Sequence, residues 1–413
     1  MTRKIRTKGD RKHFDETTLL IALCWLVYTC SYLGKLGYNA NITQIETSYS
    51  VSHSTAGMVS TFFFFAYGIG QIFNGIFCKK YNIRFVVFGS LLISSVMNIL
   101  VAVSKDFACI KYFWLVNGVA LSILWPSLIR LLSEMLDKAS IGRAVVVMGT
   151  TVASGTFLVY GLSALFVARL SYTVMFFVAG ILLPLIAIIW FFAYPKLTKK
   201  QESGQEQCSQ EETAKNGRNS AFWLSVCALA VFAIIDNLVK DGLTTWVPMI
   251  LKETYILPDY ISILLTMILP ILAIFGTGVA ITLHKKIKDF VGLSSLMFFA
   301  AALLIGLVIV CLPTGLVPIT LGSFGLVSCL MAGVNNIVTS MAPLYWKEKV
   351  NSGLLAGILD GFCYLGSTLS AYGLGFVAEK GGWIAVFILL LSLCALPVLI
   401  AICYGVALKL KKN

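Results

Sequence analysis

The chain has 413 residues, of which 58% are hydrophobic and only 12% charged, whereas a soluble domain carries about 25% charged residues. That composition excludes a soluble globular protein. Long apolar runs, in place of short alternating ones, exclude a membrane β-barrel and leave an all-α bundle of membrane-spanning helices. The net charge of +13 would suit a nucleic-acid ligand, but its distribution along the chain argues against one. The eleven cysteines, Cys24, Cys30, Cys227 and Cys363 among them, lie mostly in apolar runs, and no Cys-x-x-Cys occurs. They read as small core residues, implying neither a disulfide framework nor a metal site. No Gly-x-x-x-x-Gly-Lys-[Ser/Thr] loop, His/Cys cluster or nucleophile motif is present. The expectation is a protein that is not an enzyme, uses no cofactor and does not run on ATP.

In chain order, Met1 to Glu16 is a polar, basic tail. The apolar run behind it continues as the first span, so no cleavable signal peptide is expected. Twelve apolar segments follow, each long enough to cross about 30 Å of hydrocarbon. The first six are residues 17–43, 54–78, 84–104, 109–134, 143–168 and 171–194. Pro195 to Ser220, rich in Lys, Glu, Gln and Ser, has the composition of a solvated linker. The second six are residues 221–250, 258–283, 290–312, 316–345, 353–378 and 383–408. The predicted domains are therefore residues 1–194, a linker at 195–220, and residues 221–413.

Lys and Arg set the orientation. One side collects the basic tail, Lys79, Lys80 and Arg84, Lys138 and Arg143, the linker cations, Lys285, Lys286 and Lys288, Lys347 and Lys349, and Lys409, Lys411 and Lys412. The other side holds only Lys105, Lys111, Arg169, Lys252 and Lys380. Both termini and the linker are thus expected in the cytoplasm, and the +13 charge is mostly topology and attraction to the inner leaflet. The compact loops suggest a bacterial cytoplasmic membrane.

A lysine, Lys35, sits alone in the first segment, with no other charge between Glu16 and Glu46. A charge at membrane depth costs about 2.5–3.5 kcal/mol on insertion scales. Tyr28, Tyr32 and Lys35 are spaced i, i+4, i+7 and share one helix face, with Tyr38 in the same stretch. This is either a polar stripe able to receive an anion or a lysine snorkelling to the interface. The seventh segment repeats the feature, with Lys240-Asp241-Gly242 echoing Lys35-Leu36-Gly37. Two lysines at matching places in two halves suggest one shared site.

Asp236 precedes Lys240 by four residues, the favourable order for an ion pair. It either neutralises the lysine or competes with substrate and binds a proton. Asp360, isolated between Gly357 and Gly361, is a second candidate for proton coupling or for pairing with Lys240. Trp125-Pro126 should kink the fourth segment, and Arg130 and Glu134 beyond it read as a salt bridge or gate latch. Gln71, Asn335, Asn336 and Tyr364 are polar residues inside spans that either contact ligand or pack helices. Gly353, Gly357 and Gly361 form a small-residue seam predicted to pack closely.

At these residues the chain resembles the major facilitator superfamily and, within it, the organophosphate:phosphate antiporters that carry glycerol 3-phosphate and hexose phosphates. Tyr28, Tyr32 and Lys35 match that family's tyrosines and first substrate-binding arginine, and Lys240-Asp241-Gly242-Leu243 through Trp246-Val247-Pro248 matches the region of the second. Asn117-Gly118, Trp125-Pro126-Ser127 with Arg130, Tyr364-Leu365-Gly366 and the loop Gly75 to Arg84 are similar to further family stretches. Both arginines are lysines here, Gln71 stands for a lysine, Thr151 for a histidine, and Lys79 for an acid. Arginine grips phosphate bidentately where lysine offers a point charge.

The resemblance implies two pseudo-symmetric six-helix bundles that rock around a ligand held by Lys35 and Lys240, with Tyr28, Tyr32, Tyr38, Gln71, Trp125, Asn336 and Tyr364 around it. The substrate expected is a small organic anion, such as a phosphorylated metabolite exchanged for inorganic phosphate, carried by a monomer. Proton-coupled symport through Asp236 or Asp360 is one alternative, and a transporter-like sensor of sugar phosphates is another.

Overall fold

The computed structural model describes residues 8–77, 81–136, 138–198, 220–346, 349 and 352–410. Most of the predicted linker, and Lys79 of the loop motif, lie outside the described residues. The chain crosses as spans 1 to 10, Glu16–Ala40, His53–Asn74, Ile83–Val103, Phe107–Leu132, Val146–Arg169, Thr173–Thr198, Phe222–Tyr255, Asp259–His284, Phe290–Thr314 and Val317–Met341. The last helix, Ser352–Leu410, turns back at Gly382, whose φ of 73° is open to glycine. It therefore supplies span 11 (residues 352–381) and span 12 (residues 383–410), giving the twelve crossings expected. Two boundaries move. Span 6 stays helical through Pro195 to Thr198, and span 7 continues past residue 250 to Tyr255.

Caps and breaks follow from local chemistry. Asn82, Asp106 and Asp289 cap spans 3, 4 and 9, each side chain accepting from a first-turn backbone N–H. Span 4 is two helices, Phe107–Leu121 and Leu124–Met135. Pro126 has no N–H for the Ser122 carbonyl, so the ladder breaks where expected. Pro270 does the same to Thr266, where the first helix of span 8 ends. Span 10 changes to a π-turn at Ile337–Met341, directly after Asn335-Asn336.

Spans 1 and 7 lie at the centre, with 72% and 67% of their apolar windows buried against 39% for spans 3, 6 and 8. The outer spans turn Phe192, Ile181, Leu303, Leu399 and Ile402 outward, a surface suited to lipid. The first six spans pack mainly among themselves, as do the second six. The two groups meet where span 2 lies on span 11 and span 5 on span 8.

Glycine permits the closest approaches. A Cβ at Gly57 of span 2 would sit 2.1 Å from the Ala371 carbonyl oxygen of span 11, and one at Gly366 would sit 2.0 Å from the Ile234 oxygen of span 7. The predicted seam at Gly353, Gly357 and Gly361 is not continuous. Gly361 meets Ile72, but Gly357 faces open space. Gly366→Ala is therefore expected to destabilise the protein by about 1–3 kcal/mol through overpacking, read as a lowered thermal midpoint in detergent. Gly357→Ala should leave the midpoint in place.

Candidate functional site

The site grows from span 1. Tyr28, Tyr32 and Lys35 are buried on one face, as their spacing requires. The Lys35 ammonium lies 4.3 Å from the Tyr67 ring centre, 5.2 Å from Tyr32 and 5.1 Å from Tyr364. It also donates to Tyr364 Oη at 3.3 Å. With the residue 7% exposed, this is a cation boxed by aromatic faces rather than a side chain stretched toward solvent. Tyr364 belongs to span 11, so the box is closed by both groups of six. Tyr28 Oη is 3.4 Å from Tyr67 Oη, and its ring lies 4.7 Å from Trp125 at the break in span 4. Tyr67 was not predicted. It sits one turn before Gln71 on span 2, an i, i+4 polar pair that could have marked it.

Span 7 supplies the second cation. Lys240 Nζ donates to Asn237 Oδ1 at 2.8 Å and lies 3.9 Å from Asp241 Oδ1. Asp241 also accepts from the Ser367 hydroxyl, and Asn335 Nδ2 donates to Asn237 Oδ1 at 3.1 Å. Asp236, expected to pair with Lys240, is fully buried, and neither of its oxygens has a hydrogen-bond partner among the described residues. Asp360 is half-buried within electrostatic reach of Lys35, Lys240 and Asp241.

The remaining candidates are placed differently. Asn335, not Asn336, joins the Lys240 network. Tyr38 donates to the Ala56 carbonyl at 2.9 Å and packs on Trp114, away from the lysines. Gln71 is buried on span 2. Thr151 gives its hydroxyl to the Met148 carbonyl. Arg130 and Glu134 form the predicted ion pair at 2.7 Å, and Arg130 also reaches the Tyr81 carbonyl.

Between the lysines and the face away from the chain ends, a polar seam joins the two groups. Asn39 donates to Thr245 at 2.7 Å, Tyr160 to the Thr244 carbonyl, and Thr61 to the Thr368 carbonyl at 3.1 Å. At the rim, His53 is sandwiched by Trp246 and Trp383. Its Nδ1 is 2.9 Å from Glu46 and its Nε2 is 3.4 Å from Glu253. Glu253 also accepts from Trp383 Nε1, and Glu379 accepts from the Ser54 amide. Among the described residues, every hydrogen bond between the groups lies from the Lys35 layer toward this face.

The comparisons with known proteins agree with this fold. The profile of the Major Facilitator Superfamily matches residues 24–352, and the chain belongs to that superfamily. It is 22% identical to the membrane sensor protein UhpC of Salmonella typhimurium, over 91% of this chain and 88% of that one. It is also 22% identical to a probable hexose phosphate transport protein of Chlamydia trachomatis, with the same coverage. The glucose-6-phosphate exchanger SLC37A2 of Xenopus laevis is 24% identical over 48% of this chain and 45% of its own. Among solved structures, a bacterial homologue of the human lysosomal transporter Spinster superposes with a TM-score of 0.73 at 13% identity, covering 95% of this chain and 97% of that one. The nucleoside transporter NupG superposes with a TM-score of 0.67 at 14% identity, covering 95% and 99%.

Acidity should control the His53 rim. Both ring nitrogens face carboxylates, so the bridge needs the doubly protonated ring. Burial, the largest influence on Glu46, pushes its carboxyl above the usual range. Both groups then hold protons more tightly in the closed rim, so acid favours closure and alkali loosens it. The charged neighbours are Glu46 from the short helix Ile42–Tyr49, Lys252 and Glu253 from span 7, and Glu379 from span 11. Maleimide reacts with the thiolate, whose fraction rises with pH in any protein. Labelling of a Ser60→Cys variant, over the wild-type background, should therefore quicken from about pH 6 to about pH 9 by more than it does with His53→Ala added. With His53→Ala added, labelling should be faster at the acid end and keep only the thiolate's own pH dependence.

Proposed function

We propose that this chain is a secondary transporter of a small organic anion, most simply a hexose phosphate or similar organophosphate exchanged for inorganic phosphate. The observation that carries the reading is the Lys35 ammonium, held by tyrosines of both six-span groups at their junction. An anion bound there contacts both groups at once and links their relative motion to its own charge. Residues 1–194 and 221–413 would be the two rocking units, joined by the 195–220 linker. The basic residues near the chain ends support cytoplasmic termini, and the compact loops suit a bacterial cytoplasmic membrane. The polar seam and His53 rim then close the external side, one limb of an alternating-access cycle. The full-length similarities to a probable hexose phosphate transport protein support the substrate class, and a monomer suffices because one chain supplies both groups.

Lysine can serve where resemblance expects arginine. It offers a strong point charge to phosphate, and the tyrosine hydroxyls around it supply the directional bonds that a guanidinium would otherwise give. Similarity to the membrane sensor protein UhpC favours a second reading, in which the same site detects a phosphorylated ligand without moving it.

Proteoliposomes loaded with inorganic phosphate separate these readings. Transport predicts uptake of labelled glucose 6-phosphate that depends on internal phosphate. Sensing predicts saturable binding without flux. Lys35→Ala should weaken ligand binding by about tenfold or more, the scale of one charge-assisted hydrogen bond of about 1.5–3 kcal/mol. Lys35→Arg should retain binding. Unchanged affinity in Lys35→Ala would count against the site.

A further inference from the structure

The charges around the two lysines do not add up to a purely cationic site. Lys35 and Lys240 share their surroundings with three carboxylates, Asp236, Asp241 and Asp360. Lys240 and Asp241 largely satisfy each other, with Asn237 holding the ammonium and Ser367 the carboxylate. What remains is asymmetric. Lys35 has no carboxylate within 4.0 Å among the described residues, only aromatic faces and a phenol. On the other side, Asp360 makes no hydrogen bond or ion pair among the described residues. Asp236, 0% exposed, has both oxygens without a hydrogen-bond partner among them. A buried carboxylate without a donor is costly unless a cation or proton reaches it.

The poles are also close. Asp360 lies one helical turn before Tyr364, so the two share a face of span 11, with Cβ atoms about 5–6 Å apart. Tyr364 Oη is the group that meets Lys35. The cationic pole thus meets the hydroxyl of Tyr364, and the anionic pole stands one turn before that tyrosine on the same helix face. A simple dianion on Lys35 would enter a site that already holds three carboxylates for two lysines, whereas a ligand carrying its own ammonium would offset that excess.

We propose that the substrate is a zwitterion, a small phosphomonoester bearing a primary amine, whose phosphate meets Lys35 and whose ammonium meets Asp360, with Asp236 as the second carboxylate behind it. Asp360 is then the residue that selects aminated over non-aminated substrates. This inference rests on the central site being the place where substrate binds.

Matched ligand pairs test it: glucosamine 6-phosphate against glucose 6-phosphate, and phosphoethanolamine against ethyl phosphate. Affinities are measured on the full-length protein in detergent at about pH 6.5, below the reference amine values, which run from about 7.7 for an α-amino group to about 10.4 for a lysine amine. The expected result is about tenfold tighter binding of the aminated member of each pair. Asp360→Asn should bring the two members to within about twofold of each other, and Lys35→Ala should weaken both. Equal binding of the pairs by the wild type overturns the proposal, and this comparison needs no variant to fold. So does a preference that survives in Asp360→Asn, or a loss in that variant of pH-dependent uptake alone, which would make Asp360 a proton carrier. In those cases Lys35-dependent binding of glucose 6-phosphate would leave the anion-transport reading standing. If no phosphorylated ligand binds, that reading falls, and this inference falls with it.

Discussion

The structure depends on one buried cation whose surroundings come from both groups of spans. An ammonium inside a membrane bundle needs partners, and Lys35 finds them in the faces of Tyr32, Tyr67 and Tyr364 and in one phenol. Two of those tyrosines belong to the first six spans and one to the second. The same contacts that make the charge tolerable therefore hold the groups together at their centre. On the proposed reading, a ligand anion competing for that ammonium acts on the junction itself. The cation–π and hydrogen-bond terms are each modest, so a bound anion can replace them without a large barrier.

Around this centre, polar contacts are divided by position. From the Lys35 layer toward the rim, hydroxyls, amides and the His53 bridge join the groups. None of the cross-group hydrogen bonds among the described residues lies on the side of the chain ends. One side is thus fastened by interactions that are individually weak and reversible, which suits a face that must open in turn. Close backbone approaches such as Gly57 on Ala371 let that fastening be tight without large side chains in the way.

Much of this was legible in the sequence because lipid imposes simple rules. Apolar length gave twelve crossings, proline chemistry gave the break in span 4, and i, i+4, i+7 spacing put Tyr28, Tyr32 and Lys35 on one face. Spacing within a helix does not say which neighbouring helix that face meets. Tyr67 and Ser367 were missed because their partners come from other spans. The i, i+4 rule pairs Lys240 with Asp236, which is among its charged neighbours, while the ammonium's hydrogen bond goes to Asn237 and its shortest carboxylate contact to Asp241, held by Asn335 and Ser367. Tyr38 shares its helix with Lys35, but a backbone acceptor, the Ala56 carbonyl, takes its hydroxyl.

The central claim is that an anion at Lys35 shifts the balance between the two closed faces. Distances between spin labels placed across the His53 rim, and across the opposite face, test it most directly. Glucose 6-phosphate and inorganic phosphate should redistribute both distances in the wild type and leave them unmoved in Lys35→Ala. Redistribution of the same size in Lys35→Ala would contradict the account and place the coupling elsewhere in the bundle.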